Sequence, residues 1–272
     1  MKILVIDVGG NNVKVGLSAR KGEPLKIPSG RAMTAAKMAE AVKKATAGWL
    51  YQAVSIGYPG AVVNGRPSRD PANLGPGWKG FDYRKAFGRR VRVLNDAAMQ
   101  ALGSYEGGRM LFLGLGTGLG SALVIEGVLA PMELAHLPYK KGKTYEDYLG
   151  ERGLKRLGRK KWTEAVHDVV AKLKHGLQCD DVVLGGGQTK RLKKLPRGVR
   201  MGNNRHAILG GVRLWGDKGD RHGHRRRTPI VSHSQAKRTA PSKAKVPRPR
   251  PTAGNASGGG NAKGEAEVLS AS

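Results

Sequence analysis

The sequence predicts an α/β fold built from two related halves. Two glycine-rich turns each join a pair of strand-like apolar runs, and helical segments alternate with further short strands. Lys2 to Val8 reads as a buried strand, the turn Gly9-Gly10-Asn11-Asn12 reverses it, and Val13 to Ser18 is its antiparallel return. Met110 to Leu115 and Ser121 to Glu126 repeat that pattern around Gly116-Thr117-Gly118-Leu119-Gly120.

The other elements follow in order. Met33 to Leu50 is an Ala-rich run of good helix formers closed by Gly48, and Ala53 to Ile56 is strand-like. Tyr58 to Trp78 is so dense in Gly, Pro and Asn that it must be mostly loop. Val91 to Leu94 reads as a strand and Ala97 to Tyr105 as a short helix. Trp162, Val166, Val169, Val170, Leu173 and Leu177 recur at helical spacing in a proline-free segment, which predicts an amphipathic helix. It leads into the strand Asp181 to Leu184 and the run Gly185-Gly186-Gly187.

Charge narrows the classes of partner. The formal net charge is +29, and residues 216–272 carry 12 Lys/Arg against 4 Asp/Glu, so +21 belongs to residues 1–215. An excess of this size suits a polyanion such as nucleic acid or inorganic polyphosphate, or else describes a generally solvated basic surface. Residues 216–272 are rich in Pro, Gly, Ser and basic residues and contain no aromatic, so this tail is expected to be disordered. It could touch nucleic acid nonspecifically, but it offers no stacking platform for bases. A lone cysteine, Cys179, excludes an intramolecular disulfide and a multi-cysteine zinc cluster. The N-terminal apolar run meets Asp7 after six residues, and no stretch approaches the ~18 apolar residues of a spanning helix. A cytoplasmic protein with no membrane partner is expected.

The turns and their flanks carry the candidate chemistry. Asp7 stands at a strand end before Gly9, Gly10 and Asn11, where the absence of Cβ atoms lets backbone N–H groups approach a phosphate beside a magnesium ion; an ordinary hairpin turn has the same composition. In the second turn, glycine alternates through Gly114, Gly116, Gly118 and Gly120, more often than a hairpin requires. A dinucleotide fingerprint would have glycine at Leu119 and open a helix, whereas here a strand follows. No P-loop motif is present. Asn95-Asp96 joins a strand to a helix, which puts Asp96 where α/β sites form; the local alternative is that Asp96 is simply the helix N-cap. Glu133 and His136, three residues apart, would face the same way on a short helix or turn.

In this order, the segments resemble the ROK family of bacterial sugar kinases and repressors, within the actin/hexokinase superfamily, and in particular its polyphosphate glucokinase branch. The resemblance runs from Lys2 to about Trp215. It is carried by DVGGNNVKVGL, SIGYPGAVVNG, ANLGPGW, LNDA, GLGTGLGSAL, ELAH and VVLGGG. It implies an actin-like (ribonuclease H-like) duplicated α/β fold with mixed sheets flanked by helices: an N-terminal domain over 1–94, a C-terminal domain over 95–215 and the basic tail over 216–272. It implies phosphoryl transfer from polyphosphate or ATP to a hexose, with Mg²⁺ and without zinc, in a homodimer. Asp96 would be the base, and Asn95, Glu133, His136 and Asn73 would bind sugar hydroxyls. Gly9, Gly10, Asn11, Lys14, Gly116, Thr117 and Gly118 would hold phosphates, Asp7 would position the metal, and Gly185 and Gly186 would line the donor end.

Three departures from the family pattern stand out. The zinc cysteines are missing, as in the polyphosphate-using branch, so the sugar loop must be held by packing. Ala135 replaces a glycine, and Pro138 stands where that branch has a further glutamate. Two other classes compete with the kinase reading. One is a non-catalytic sugar-binding regulator of the same family; regulators carry a DNA-binding module ahead of the first phosphate motif, and only six residues precede Asp7 here. The other is a polyanion-binding or nucleic-acid-binding protein acting through its tail.

Overall fold

Two five-stranded sheets with the same strand order organise the molecule. In this computed structural model residues 1–20, 22–203 and 205–216 are described, and all of them belong to one compact unit. The expected disordered tail, 216–272, lies outside the described residues except for Gly216.

The first sheet contains β1 (Ile3–Val8), β2 (Asn12–Leu17), β3 (Leu25–Pro28), β4 (Ala53–Tyr58) and β7 (Arg90–Asn95) in the order β3-β2-β1-β4-β7. A small antiparallel pair, β5 (Val62–Val63) and β6 (Arg66–Pro67), lies within the long loop. The second sheet contains β8 (Arg109–Leu115), β9 (Leu119–Ile125), β10 (Val128–Met132), β11 (Asp181–Gly185) and β12 (Val199–Met201) in the order β10-β9-β8-β11-β12. Each sheet begins with an antiparallel meander of three strands and continues with two parallel strands. This repeated topology is the duplication that the two glycine turns predict.

Burial explains the strand sequences. β1 and β4 are buried at every position, so their sequences are mostly apolar rather than alternating, with Asp7 and Ser55 as the buried polar exceptions. β2 alternates, with Val13, Val15 and Leu17 buried.

Helix α1 (Ala35–Ala45) is shorter than its Met33 to Leu50 expectation at both ends. The Thr34 hydroxyl accepts from Lys37 N–H and starts it, while the Thr46 hydroxyl donates back to the Val42 carbonyl and Gly48 at φ +78° turns the chain away. Its buried face, Ala35, Met38, Ala39 and Val42, joins α2 (Tyr83–Phe87) in covering one side of the first sheet. α4 (Tyr145–Leu149) and α5 (Glu151–Gly176) cover the second sheet. The predicted amphipathic stripe of α5 is buried at Trp162, Val166, Val169, Val170 and Leu173, and the helix reaches further back than expected, across a break at Gly158.

Two helices lie between the sheets. α3 (Asp96–Ser104) packs on β8, β9 and β10, and its Met99 joins Ile3, Val5 and Ala53 of the first sheet. α6 (Arg205–Arg213), which the sequence pattern did not reveal, returns to pack on β1, β4 and α3. The Ser55 hydroxyl donates to the Gly211 carbonyl at 2.6 Å and accepts from the Trp215 indole at 2.8 Å, fixing this return.

Candidate active site

The carboxyl ends of the parallel strands of the first sheet bring the first carboxylates together. Asp7 on β1 is in register with Gly57 on β4, and Gly57 is in register with Leu94 on β7, one residue before Asn95 and Asp96. The backbones of β1 and β7 are therefore roughly 10 Å apart, with glycine on the strand between them. A Cβ on Gly57 would sit 3.4 Å from Asp7 Oδ1 and run into the Met99 methyl, so glycine keeps this floor clear.

Asn95, not Asp96, caps α3. Its amide oxygen accepts from Ala98 N–H at 3.1 Å and its amide nitrogen donates to the Gly60 carbonyl at 3.0 Å. This corrects the local reading of Asp96 as the N-cap. Asp96 begins the helix proper, with Oδ1 accepting from Ala97 N–H at 2.8 Å. Burial pushes its carboxyl up to about 7, helped by the charge of Asp7 and, more weakly, of Glu133, against the pull of the Ala97 and Asp96 N–H groups. Asp7 is also raised, because burial outweighs Lys14, whose Nζ lies 3.6 Å from Asp7 Oδ2. Lys14 is opposite Asp7 across the hairpin, so its charge is already directed at that carboxylate.

The two turns share a construction. In the first, Gly9 N–H closes onto the Asn12 carbonyl at 3.0 Å, while Gly10 and Asn11 N–H make no hydrogen bond within the described residues. In the second, Gly116 N–H closes onto the Gly118 carbonyl at 3.0 Å, and Thr117 and Gly118 N–H are likewise unused. Each turn therefore offers a pair of backbone donors to an anion, and Gly9 and Gly116 spend their own amides on closing the turn.

Residues distant in sequence hold both turns, and no motif announces them. Ser29 donates its hydroxyl to the Gly9 carbonyl at 2.7 Å and its N–H to Asn11 at 3.0 Å. Glu146, on α4, accepts from Leu119 N–H at 3.0 Å, with its carboxylate filling the space where a Gly118 Cβ would be. Glu151 N–H, starting α5, donates to the Gly116 and Thr117 carbonyls. The second hairpin also rests on α3: a Cβ on Gly120 would approach Ala97 Cβ to 2.7 Å, directly beside Asp96. Gly186, at φ +87°, packs against Leu115 at the end of β8, so Gly185 and Gly186 border the second turn.

The remaining candidates lie around these groups. Asn73 Cβ is 3.7 Å from the Cβ position of Gly10, in a loop that Asp70 closes by accepting from Trp78 and Lys79 N–H. Glu133 precedes and His136 ends a 3-10 turn over Leu134–His136, both exposed and with side chains 3.8 Å apart, and the Ser121 hydroxyl anchors that turn by accepting from Leu134 N–H. Ala135 is buried, and Pro138 pairs with Thr144 as an isolated bridge. The segment after His136 is held by packing: Tyr139 meets Tyr145 and Tyr148 ring to ring, and its hydroxyl donates to Asp168 at 2.6 Å. Among the described residues no three metal-ligating side chains converge, and no helix is long and apolar enough to cross a membrane.

A duplicated five-stranded sheet with a glycine turn in each half defines an actin-like α/β fold of the kind that sugar kinases share. No family model matches the chain. It is 28% identical over 214 residues to the polyphosphate glucokinase of Mycobacterium tuberculosis (strain H37Rv), covering 70% of this chain and 78% of the relative. The Mycobacterium leprae polyphosphate glucokinase is 26% identical over 225 residues, covering 75% and 68%. Among solved structures, the inorganic polyphosphate/ATP-glucomannokinase from Arthrobacter sp. strain KM superposes with a TM-score of 0.66 at 25% identity, over 77% of this chain and 96% of that one. A ROK family glucokinase from Streptomyces griseus, at TM-score 0.60 and 17% identity over 79% of this chain and 99% of that one, shares the fold. The chain is a sugar kinase, similar to the polyphosphate glucokinases in sequence and to solved ROK-family sugar kinases in fold.

Proposed function

We propose that the protein transfers a phosphoryl group to a glucose-like hexose from polyphosphate, with ATP as an alternative donor, and that Asp96 is the general base. The observation that carries this reading is a desolvated carboxylate at the start of α3, close enough to feel the charge of Asp7 and next to Ala97, on which the Gly120 hairpin packs. Phosphoryl transfer asks a protein mainly for alignment and charge neutralisation, which the paired amides of Gly10, Asn11, Thr117 and Gly118 suit. Asp96 takes the proton of the attacking hydroxyl, while Glu133, His136, Asn73 and the spare lone pair and N–H of Asn95 bind other hydroxyls. Lys14 balances charge at the first turn, and Gly185 and Gly186 border the donor. The two halves, 1–94 and 95–215, close on the sugar and exclude water.

A desolvated Asp7, only partly compensated by Lys14, fits magnesium, which favours one or two carboxylates together with substrate phosphates and water over an all-protein cage. Asp7 would hold the ion, and the ion would supply neutralisation of phosphate charge. The +21 carried by residues 1–215 supports a long polyanion as donor. The test is product formation from a panel of hexoses with each donor. Glucose phosphorylation is expected, with polyphosphate turnover falling between about 50 and 200 mM salt. Failure with every hexose and both donors refutes the reading.

Two further outcomes follow from the geometry. Glu146→Ala removes a charge-assisted bond from the second turn and is expected to raise the donor KM about 10-fold while the sugar KM stays unchanged. Glu146→Gln keeps an acceptor for Leu119 N–H and should restore most of the loss; steady-state kinetics distinguishes them. The second outcome concerns stability of the metal-free protein. Because Asp96 is raised to about 7 from 3.8, the fold favours its protonated form. The associated stability is complete below the unfolded value and disappears as pH rises through about 7. Asp96→Asn should therefore melt above the wild type at about pH 8, the gap narrowing toward about pH 5 in thermal scans.

A further inference from the structure

At the far end of β7 from Asp96, a pocket of about 500 Å³ is lined by Arg84, Arg89, Arg90, Arg92 and Trp215, and none of its described lining residues is acidic. β7 is an edge strand, and Arg90 and Arg92, two residues apart, point to the same side of it. Both guanidinium groups stack on the Trp215 ring, at 5.3 and 4.4 Å from its centroid. The ring is itself fixed by its N–H bond to Ser55, Arg89 is held by the Tyr51 and Gly88 carbonyls, and Arg92 donates to the Leu214 carbonyl. Arg84, Arg89 and Arg90 are exposed.

We propose that this pocket is a second docking site for long-chain polyphosphate, engaging a stretch of the donor remote from the reacting end. The exposed guanidinium groups of Arg84, Arg89 and Arg90 around one pocket repel one another, and an anion relieves that repulsion. Stacking on a fixed indole orients the exposed Arg90 guanidinium in advance, so less ordering entropy is lost when it binds phosphate oxygens. The single aromatic ring is occupied by arginines and leaves no platform for bases, which favours a plain phosphate chain over nucleic acid. Arg90 and Asp96 are separated by roughly 20 Å along the strand, so only a long donor reaches both. The proposal rests on polyphosphate being a donor.

The test compares the full chain with an Arg84→Ala, Arg90→Ala double variant, neither residue belonging to the catalytic machinery. Equilibrium binding of long-chain polyphosphate across a salt series is measured beside kinetics with long-chain polyphosphate, tripolyphosphate and ATP. Expected are an approximately 10-fold rise in Kd and KM for the long chain, a salt slope shallower by about two, and unchanged kcat and unchanged KM for ATP and tripolyphosphate. Unchanged long-chain affinity overturns the site, and so does an equal loss for the short donors. A single-stranded RNA that displaces polyphosphate at equal phosphate concentration overturns the choice of ligand. If the wild type binds long polyphosphate and the variant does not, while neither transfers from it, the docking site stands and the donor reading fails.

Discussion

Asp96→Asn is expected to lower turnover by about 10²- to 10⁴-fold, with the fold and sugar binding intact. The amide keeps an oxygen for Ala97 N–H, so the first turn of α3 should survive, and Asn95, which caps the helix, is untouched. What the variant loses is the ability to accept a proton from the attacking hydroxyl. Hexose phosphorylation assayed with both donors, beside circular dichroism and sugar binding, checks the prediction. Near-normal turnover would remove Asp96 from the mechanism and leave the glycine turns as its main support.

The second large effect concerns stability. Gly103→Ala or Gly210→Ala is expected to cost about 3 kcal/mol and lower the melting temperature by roughly 6–12 °C. A Cβ at Gly103 would collide with the His206 carbonyl, and one at Gly210 with the Met99 carbonyl, so α3 and α6 touch backbone to backbone. Neither contact can relax by rotating a side chain. Arg213 locks the pair further by donating to the carbonyls of Leu102, Gly103 and Tyr105 at the end of α3. Thermal denaturation of the single variants measures the cost. Because α3 begins at Asp96 and packs on both sheets, the loss should also impair catalysis when these proteins are assayed near their melting point.

The pattern of apolar runs and glycine turns was sufficient to place both hairpins, the strands around Ala53, Val91 and Asp181, and the buried stripe of α5. Each of these depends on contiguous residues, because a central strand is apolar throughout and a helix repeats every few positions. The edges were less legible: β3, β12, α2 and α6 are short or lie in weakly periodic, basic sequence. Helix ends were missed for a similar reason, since capping by Thr34 and Asn95 depends on which side chain reaches which amide.

At the site, Asp7, Asp96 and the two turns were candidates by residue type and position, a carboxylate at a strand end or a run of glycines, while their roles came from the family resemblance. Local sequence also specifies the unpaired amides, since a tight glycine turn exposes them wherever it occurs. Ser29 supporting one turn, Glu146 beneath the other, Gly57 clearing the space beside Asp7 and the arginines gathered on Trp215 became visible only in three dimensions. Each of these is a contact between segments far apart along the chain. Their pairing depends on how the two sheets and the helices between them pack, which no short window of residues encodes.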